Sequence, residues 1–131
     1  MNDYTKKFSF TRTHRNMTDV LTDHETAALG DAYVNFAYSL ALSNRKREPH
    51  GAKVRGTVLA EALRRAGLRE WLPSRMTRHE LADAAEALIV YAWLHNQLTL
   101  IESVTILEKT DDPTEGFSQL LTVAKKRVKL S

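Results

Sequence analysis

The chain has 131 residues, 43% of them hydrophobic, and a formal net charge of +3, so we expect one domain over residues 1–131 with one moderate core. Because there is no cysteine, a disulfide framework, thiolate metal ligands and a thiol nucleophile are excluded. No signal-peptide core is evident and no apolar run is long enough to span a bilayer, so we expect a cytoplasmic protein without membrane association.

Residues 1–17 form a basic N-terminal arm in which aromatic side chains alternate with Lys and Arg: Tyr4, Lys6, Lys7, Phe8, Phe10 and Arg12. Such a pattern can stack on and grip a nucleic acid. It also suits an arm packed on the body of the protein or on a second subunit, and both interpretations stay open at this point.

From Met17 the pattern is helical and continues to about Ser43. Its apolar residues form a surface wide enough to be buried on more than one side: Leu29, Val34, Phe36, Ala37, Leu40 and Ala41. Gly30 lies inside this helix, where glycine costs about 1 kcal/mol relative to alanine, so we expect another backbone to approach closely there. Asp31 follows in an apolar setting, and Asn35 is one turn away, within hydrogen-bonding reach.

The centre of the chain is basic. Residues 44–78 contain ten Lys and Arg residues against three acids, which suits a polyanion such as nucleic acid, with a solvated surface as the alternative. Pro49 and Gly51 interrupt the helical pattern and predict a basic loop over residues 43–53. A helix over residues 54–66 follows, and Gly67 suits its C-terminal cap.

Thr77 and Glu80 have the spacing of a capping box, so a central helix begins there and runs to about residue 95 or 97. Asp83 and Glu86 project from one side of this apolar helix, about one turn apart. Because burying an unpaired carboxylate is costly, this pair needs either a divalent cation or a basic side chain. His79 and His95 near the helix ends are expected to be surface or capping residues rather than ligands.

Two further helices complete the pattern, one over residues 99–107 and one from Asp112 to about Val128. The prediction is an all-α bundle of five or six helices. If Gly30 allows the first long helix to cross the central helix closely, Asp31, Asp83 and Glu86 converge on one Mg²⁺ or Mn²⁺. Beside a basic surface, this arrangement is typical of a metal-dependent phosphodiesterase.

Two segments resemble the signature motifs of ribonuclease III: LGDA at Leu29–Ala32 and LADAAEALI at Leu81–Ile89. The resemblance covers roughly residues 22–96. It implies a ribonuclease III endonuclease-domain-like helical bundle that acts as a homodimer and cleaves double-stranded or structured RNA with Mg²⁺. It matches the catalytic aspartate of the first motif to Asp31 and the acids of the second to Asp83 and Glu86. Asp31 and Glu86 would bind the metal directly, with Asp83 orienting water or completing the ligand shell.

The chain departs from this family in two ways. Ala27 stands where the longer enzymes have a glutamate, with His24 about one further turn back, and there is no room for a double-stranded-RNA-binding domain. Compact archaeal members, which the chain resembles most, also lack that glutamate. We therefore expect the catalytic domain itself to hold RNA, through five basic residues: Arg45, Lys46, Arg47, Lys53 and Arg55.

Two other functions remain open. A chain without an acid at Ala27 can be a catalytically weak or silent RNA-binding module of the same fold. A helical nucleotide pyrophosphohydrolase also uses carboxylates around Mg²⁺, but that class requires a second helix with paired acids, and the first helix here offers Asp31 alone.

Overall fold

The computed structural model describes residues 7–130. It contains no strand in that range, and six α-helices lie within it: α1 (Met17–Leu21), α2 (His24–Lys46), α3 (Gly56–Arg65), α4 (Arg78–Leu94), α5 (Leu100–Glu108) and α6 (Pro113–Arg127). A 3₁₀ helix at Arg69–Trp71 joins α3 to α4. The all-α prediction is confirmed. None of the described helices is long and apolar enough to cross a membrane.

Helix α4 is the centre of the bundle. Twelve of its 17 residues are buried, as expected for a helix that is apolar nearly all round. It contacts α1, α2, α3 and α6. The predicted capping box is present, because the Glu80 amide donates to Thr77 Oγ1 at 3.1 Å and the Thr77 amide donates to Glu80 Oε1 at 2.9 Å. The carboxylates of α4 are therefore held on the most enclosed helix of the protein.

The helix expected to run unbroken from Met17 is divided in two, which corrects the prediction. Asp23 caps the new start, with Oδ1 accepting from the Thr26 amide at 3.1 Å. Arg12 Nη1 and His14 Nε2 each lie 2.9 Å from the same carboxylate. Burial opposes ionisation of Asp23, but the hydrogen bonds from His14 and Thr26 and the charge of Arg12 outweigh it and lower the pKa to about 2.

At its other end α2 extends through Lys46, so Arg45 and Lys46 are helical and not part of the predicted loop. Arg47 ends the helix in the left-handed conformation, with φ of 57°. Positive charge in the last turn is favoured by the helix dipole. Arg45 Nη1 also donates to the Glu108 carbonyl at 2.9 Å, which ties this end of α2 to α5.

The described part of the N-terminal arm packs on the body. The Phe8 ring lies against Trp93 with centroids 6.2 Å apart, and the His14 amide donates to the Tyr91 hydroxyl at 3.1 Å. Phe10 remains 60% exposed. The predicted contributions of Tyr4 and Lys6 lie outside the described residues.

Candidate active site

The crossing of α2 over α4 depends on Gly30. A β-carbon at this position would lie 2.2 Å from the carbonyl oxygen of Glu86 and 2.6 Å from its carbonyl carbon. Any side chain here would overlap the α4 backbone. The predicted close approach of another backbone to Gly30 is confirmed. That backbone belongs to Glu86, one of the three acids that the sequence singled out.

Because Asp31 follows Gly30, this crossing brings the first acid to the two acids of α4. All three line one cavity of about 380 Å³, together with His24, Ala27 and His79. The three carboxylates that the sequence predicts to converge on one metal ion therefore line the same cavity.

The three carboxylates differ in exposure. Glu86 is only 7% exposed and the Asp83 side chain 23%, whereas Asp31 is exposed. The expectation of an apolar setting for Asp31 is wrong, because its side of α2 faces the open cavity rather than the core. Asn35 Nδ2 donates to Asp31 Oδ1 at 3.1 Å, as expected, while Asn35 Oδ1 accepts from the Val54 amide at 2.8 Å. Asn35 thus ties Asp31 to the segment that leads into α3.

Glu86 is held in an environment that disfavours its charge. Burial, and then the adjacent carboxyls of Asp31 and Asp83, raise its pKa to about 8. Among residues 7–130, no Lys, Arg or His side chain lies within 4.0 Å of the carboxylate of Glu86 or Asp31. For Glu86 and Asp31, a basic partner is therefore not found in the part of the chain that the structure describes, whereas Asp83 has two histidines nearby.

Two histidines flank Asp83. His24 Nδ1 lies 3.7 Å and His79 Nε2 lies 3.6 Å from Asp83 Oδ2, and both imidazoles are more than half exposed. His79 is a surface residue, as predicted, but it also borders the cavity. His95 ends α4 and its Nε2 contacts the Arg12 carbonyl oxygen at 2.8 Å. The place of His24 beside Asp83 was not foreseen, because it depends on how α2 crosses α4.

The chemistry of these donors fits a hard divalent cation. Three carboxylates that have no Lys or Arg partner among residues 7–130 supply the oxygen ligands that Mg²⁺ and Mn²⁺ prefer. A cation would also offset the repulsion that raises the pKa of Glu86. Within residues 7–130 no three acidic or histidine side chains are already gathered as a complete ligand set. Binding therefore requires rotation of side chains, and the exposed side chain of Asp31, which is held by one hydrogen bond from Asn35, can make such a rotation.

The five basic residues predicted to hold RNA fall into two groups. Lys53 and Arg55 line a cavity at the entrance to α3, which also includes Val54, a residue of the carboxylate cavity. Arg45, Lys46 and Arg47 lie 14 to 16 positions beyond Asp31. At 1.5 Å per helical residue this is about 21–24 Å along α2. Only the first group adjoins the carboxylates.

Comparison with known protein families finds one match. A model described as Ribonuclease III matches residues 24–130, which include both motifs and every described α-helix from α2 onward. No curated protein sequence matches the chain.

Proposed function

Because the chain belongs to the ribonuclease III family, we propose that it is an endoribonuclease that hydrolyses phosphodiester bonds of double-stranded or structured RNA with Mg²⁺ or Mn²⁺. Family membership supports ribonuclease action on RNA. The metal, the duplex substrate and the homodimer are inferred from the residues described below.

The observation that carries the proposal is the placement of Glu86. It is a nearly buried carboxyl, beside two other carboxyls, and forms no ion pair within the described residues. A purely structural role would favour a neutral or basic neighbour, because adjacent like charges are destabilising. The arrangement instead favours a bound cation during function.

We assign direct metal binding to Asp31 and Glu86, and completion of the ligand shell or orientation of the attacking water to Asp83. When bound, a divalent cation lowers the pKa of water and offsets charge that develops on the phosphate. Asn35 acts on Asp31 through its hydrogen bond and holds that carboxylate toward the cavity. No covalent nucleophile is required, which agrees with the absence of cysteine.

RNA contacts follow from the two basic groups. Lys53 and Arg55 are exposed and adjoin the carboxylate cavity, so we assign them to phosphates near the cleaved bond. Arg45, Lys46 and Arg47, at the far end of α2, would contact the RNA backbone farther along the substrate. Such contacts are electrostatic and do not depend on sequence.

Exposed apolar side chains on the side of α2 that faces away from the core support the homodimer. Leu29 is 39% exposed and Phe36 is 55% exposed, and the exposed Ala32 lies between them on the same face. Exposed apolar side chains aligned along one helix are typical of an interface between subunits. Two copies joined through this face would present two sites, one for each strand of a duplex.

One residue, Ala27, favours a second function, that of a catalytically silent RNA-binding module. Ala27 is buried and lines the carboxylate cavity one turn before Asp31, where a fourth carboxylate is missing. A site without this ligand can retain RNA binding and lose catalysis. This second function predicts that the protein binds RNA in EDTA and does not cleave it when Mg²⁺ or Mn²⁺ is added.

The test is cleavage of long duplex RNA by wild type, Glu86→Gln and Glu70→Gln. Glu70 is an exposed glutamate that forms no ion pair among the described residues, so it is the matched control. We expect Mg²⁺-dependent cleavage by wild type and by Glu70→Gln, and its loss in Glu86→Gln with the circular dichroism spectrum retained. Equal cleavage by Glu86→Gln would contradict the assignment of the site.

A further inference from the structure

A second groove adjoins the carboxylate cavity. It is lined by Arg55, Gly56, Thr57, Thr77, Arg78 and His79, and it shares Gly56 and His79 with that cavity. None of these six residues is acidic. The two cavities therefore adjoin, one lined by three acids and the other by two arginines.

The groove forms where α3 and α4 begin side by side. A β-carbon on Gly56 would lie 3.8 Å from the Ala82 β-carbon, which is ordinary van der Waals contact between the two helices. Arg55 immediately precedes α3, and Arg78 is the first residue of α4. This packing sets two arginines from different parts of the chain along one groove.

Arg55 and Arg78 differ from Arg64 and Arg65, the two arginines at the other end of α3. Both are exposed, and within residues 7–130 neither forms an ion pair. Arg64 and Arg65, by contrast, lie 3.5 Å and 3.4 Å from Glu61. Their charges are partly offset inside the protein. The charges of Arg55 and Arg78 are available to a ligand.

We propose that Arg55 and Arg78 together bind an RNA backbone phosphate adjacent to the one that is cleaved. The inference rests on the proposed nuclease function and adds Arg78 to the residues that hold the substrate. Guanidinium groups bind phosphate through paired, charge-assisted hydrogen bonds. Because the groove shares Gly56 and His79 with the carboxylate cavity, a phosphate held there lies next to that cavity, and the pair would position the strand for cleavage.

The test compares binding of duplex RNA in EDTA, where cleavage is prevented, across a salt series for wild type, Arg55→Gln, Arg78→Gln and Arg64→Gln. Arg64 is the control because it is also an exposed arginine, lies on α3 and has its own acidic partner. We expect each groove variant to bind about tenfold more weakly. Each groove variant should also reduce the steepness of the plot of log affinity against log salt concentration by about one, because it has one basic side chain fewer to neutralise a phosphate. Arg64→Gln should leave that slope unchanged.

A charge-preserving variant separates phosphate binding from a structural effect. Arg78→Lys keeps the charge but removes the guanidinium geometry, so the salt slope should return while the affinity recovers only in part. If wild type binds RNA and both groove variants keep its affinity and salt slope, the inference is overturned and the proposed nuclease function stands. If wild type neither binds nor cleaves duplex RNA, the proposed function fails and this inference fails with it.

Discussion

Gly30 lies so close to Glu86 that a β-carbon on the glycine would be 2.2 Å from the glutamate's carbonyl oxygen. The contact joins the two helices that carry the candidate ligands. It places Asp31, the residue after the glycine, on the same cavity as the carboxyl of Glu86. One residue without a side chain therefore determines whether the carboxylates meet.

Replacing Gly30 by alanine should destabilise the protein, because the overlap is with backbone and cannot be relieved by rotating a side chain. Overpacking of this kind costs about 1–3 kcal/mol, and the better helix propensity of alanine recovers about 1 kcal/mol at most. The measurement is the free energy of unfolding in urea. Gly56→Ala is the control, because the added β-carbon lies at an ordinary contact distance, 3.8 Å, from the Ala82 β-carbon. The free energy of unfolding of this variant should be unchanged or slightly higher.

Stability of the metal-free protein should fall with increasing pH because of Glu86. Its pKa is raised from 4.5 to about 8, so the folded state binds the proton more tightly than the unfolded state does. The contribution is fully present below pH 4.5 and is lost as the pH rises through about 8. Each unit of pKa difference corresponds to about 1.4 kcal/mol, so the total is on the order of a few kcal/mol.

Glu86→Gln removes this titration, so its unfolding free energy in EDTA should lack the decline that wild type shows between pH 5 and 9. Added Mg²⁺ or Mn²⁺ should also reduce the decline in wild type, because a bound cation favours the ionised carboxyl. Parallel pH profiles for the two proteins in EDTA would mean that Glu86 does not have a raised pKa.

The stability that the packed N-terminal arm contributes should depend on the negative charge of Asp23. Asp23→Asn can still cap α2 but removes the ion pair with Arg12 and the carboxylate that His14 contacts. Because the Asp23 pKa is lowered from 3.8 to about 2, its ionic stabilisation is present above pH 3.8 and is lost as the pH falls toward 2. At pH 7 we expect a decrease of about 2 kcal/mol in unfolding free energy.

The matched control for the arm is Asp112→Asn, which changes the N-cap of α6, where the carboxylate accepts from the Thr114 amide at 3.0 Å without an ion pair. Asparagine is an equally good N-cap, so the unfolding free energy of Asp112→Asn should differ from that of wild type by only a few tenths of a kcal/mol. Equal decreases in the two variants would show that capping, and not the ionic interactions of the arm, explains the role of Asp23.

The proposed dimer should dissociate when charge is placed on the exposed face of α2. Phe36→Glu introduces a carboxylate where an apolar side chain is 55% exposed, and burying it between subunits would be unfavourable. Sedimentation velocity should show a dimer for wild type and a monomer for the variant. Trp71→Glu, at a 46% exposed position outside α2, should remain dimeric. A monomeric wild type at all concentrations tested would refute the proposed interface.

Local sequence patterns were sufficient where structure depends on neighbouring residues. The Thr77 and Glu80 capping box was predicted from spacing alone, and the mid-helix Gly30 correctly indicated a close approach. The acids Asp83 and Glu86 were recognisable because carboxylates are rare in so apolar a helix. The capping box and the acid pair each involve residues within one or two turns of each other, and a glycine inside a helix is itself a local signal of a close approach.

Several features that depend on distant residues were missed. Arg12 and His14 lie outside α2 and contact its cap, Asp23, only in the folded chain. The exposure of Asp31 depends on what α3 and α4 leave uncovered, and the place of Arg78 in the basic groove depends on two helices beginning side by side. Periodicity along one helix contains none of this information.

The most direct test of the central claim is a crystal soaked in Mn²⁺, with anomalous diffraction recorded for wild type and for Glu86→Gln. We predict an anomalous peak between the carboxylates of Asp31 and Glu86 in wild type, and its absence in the variant. A wild-type crystal without such a peak, or with a Lys or Arg side chain between these two carboxylates, would contradict the assignment of a metal site.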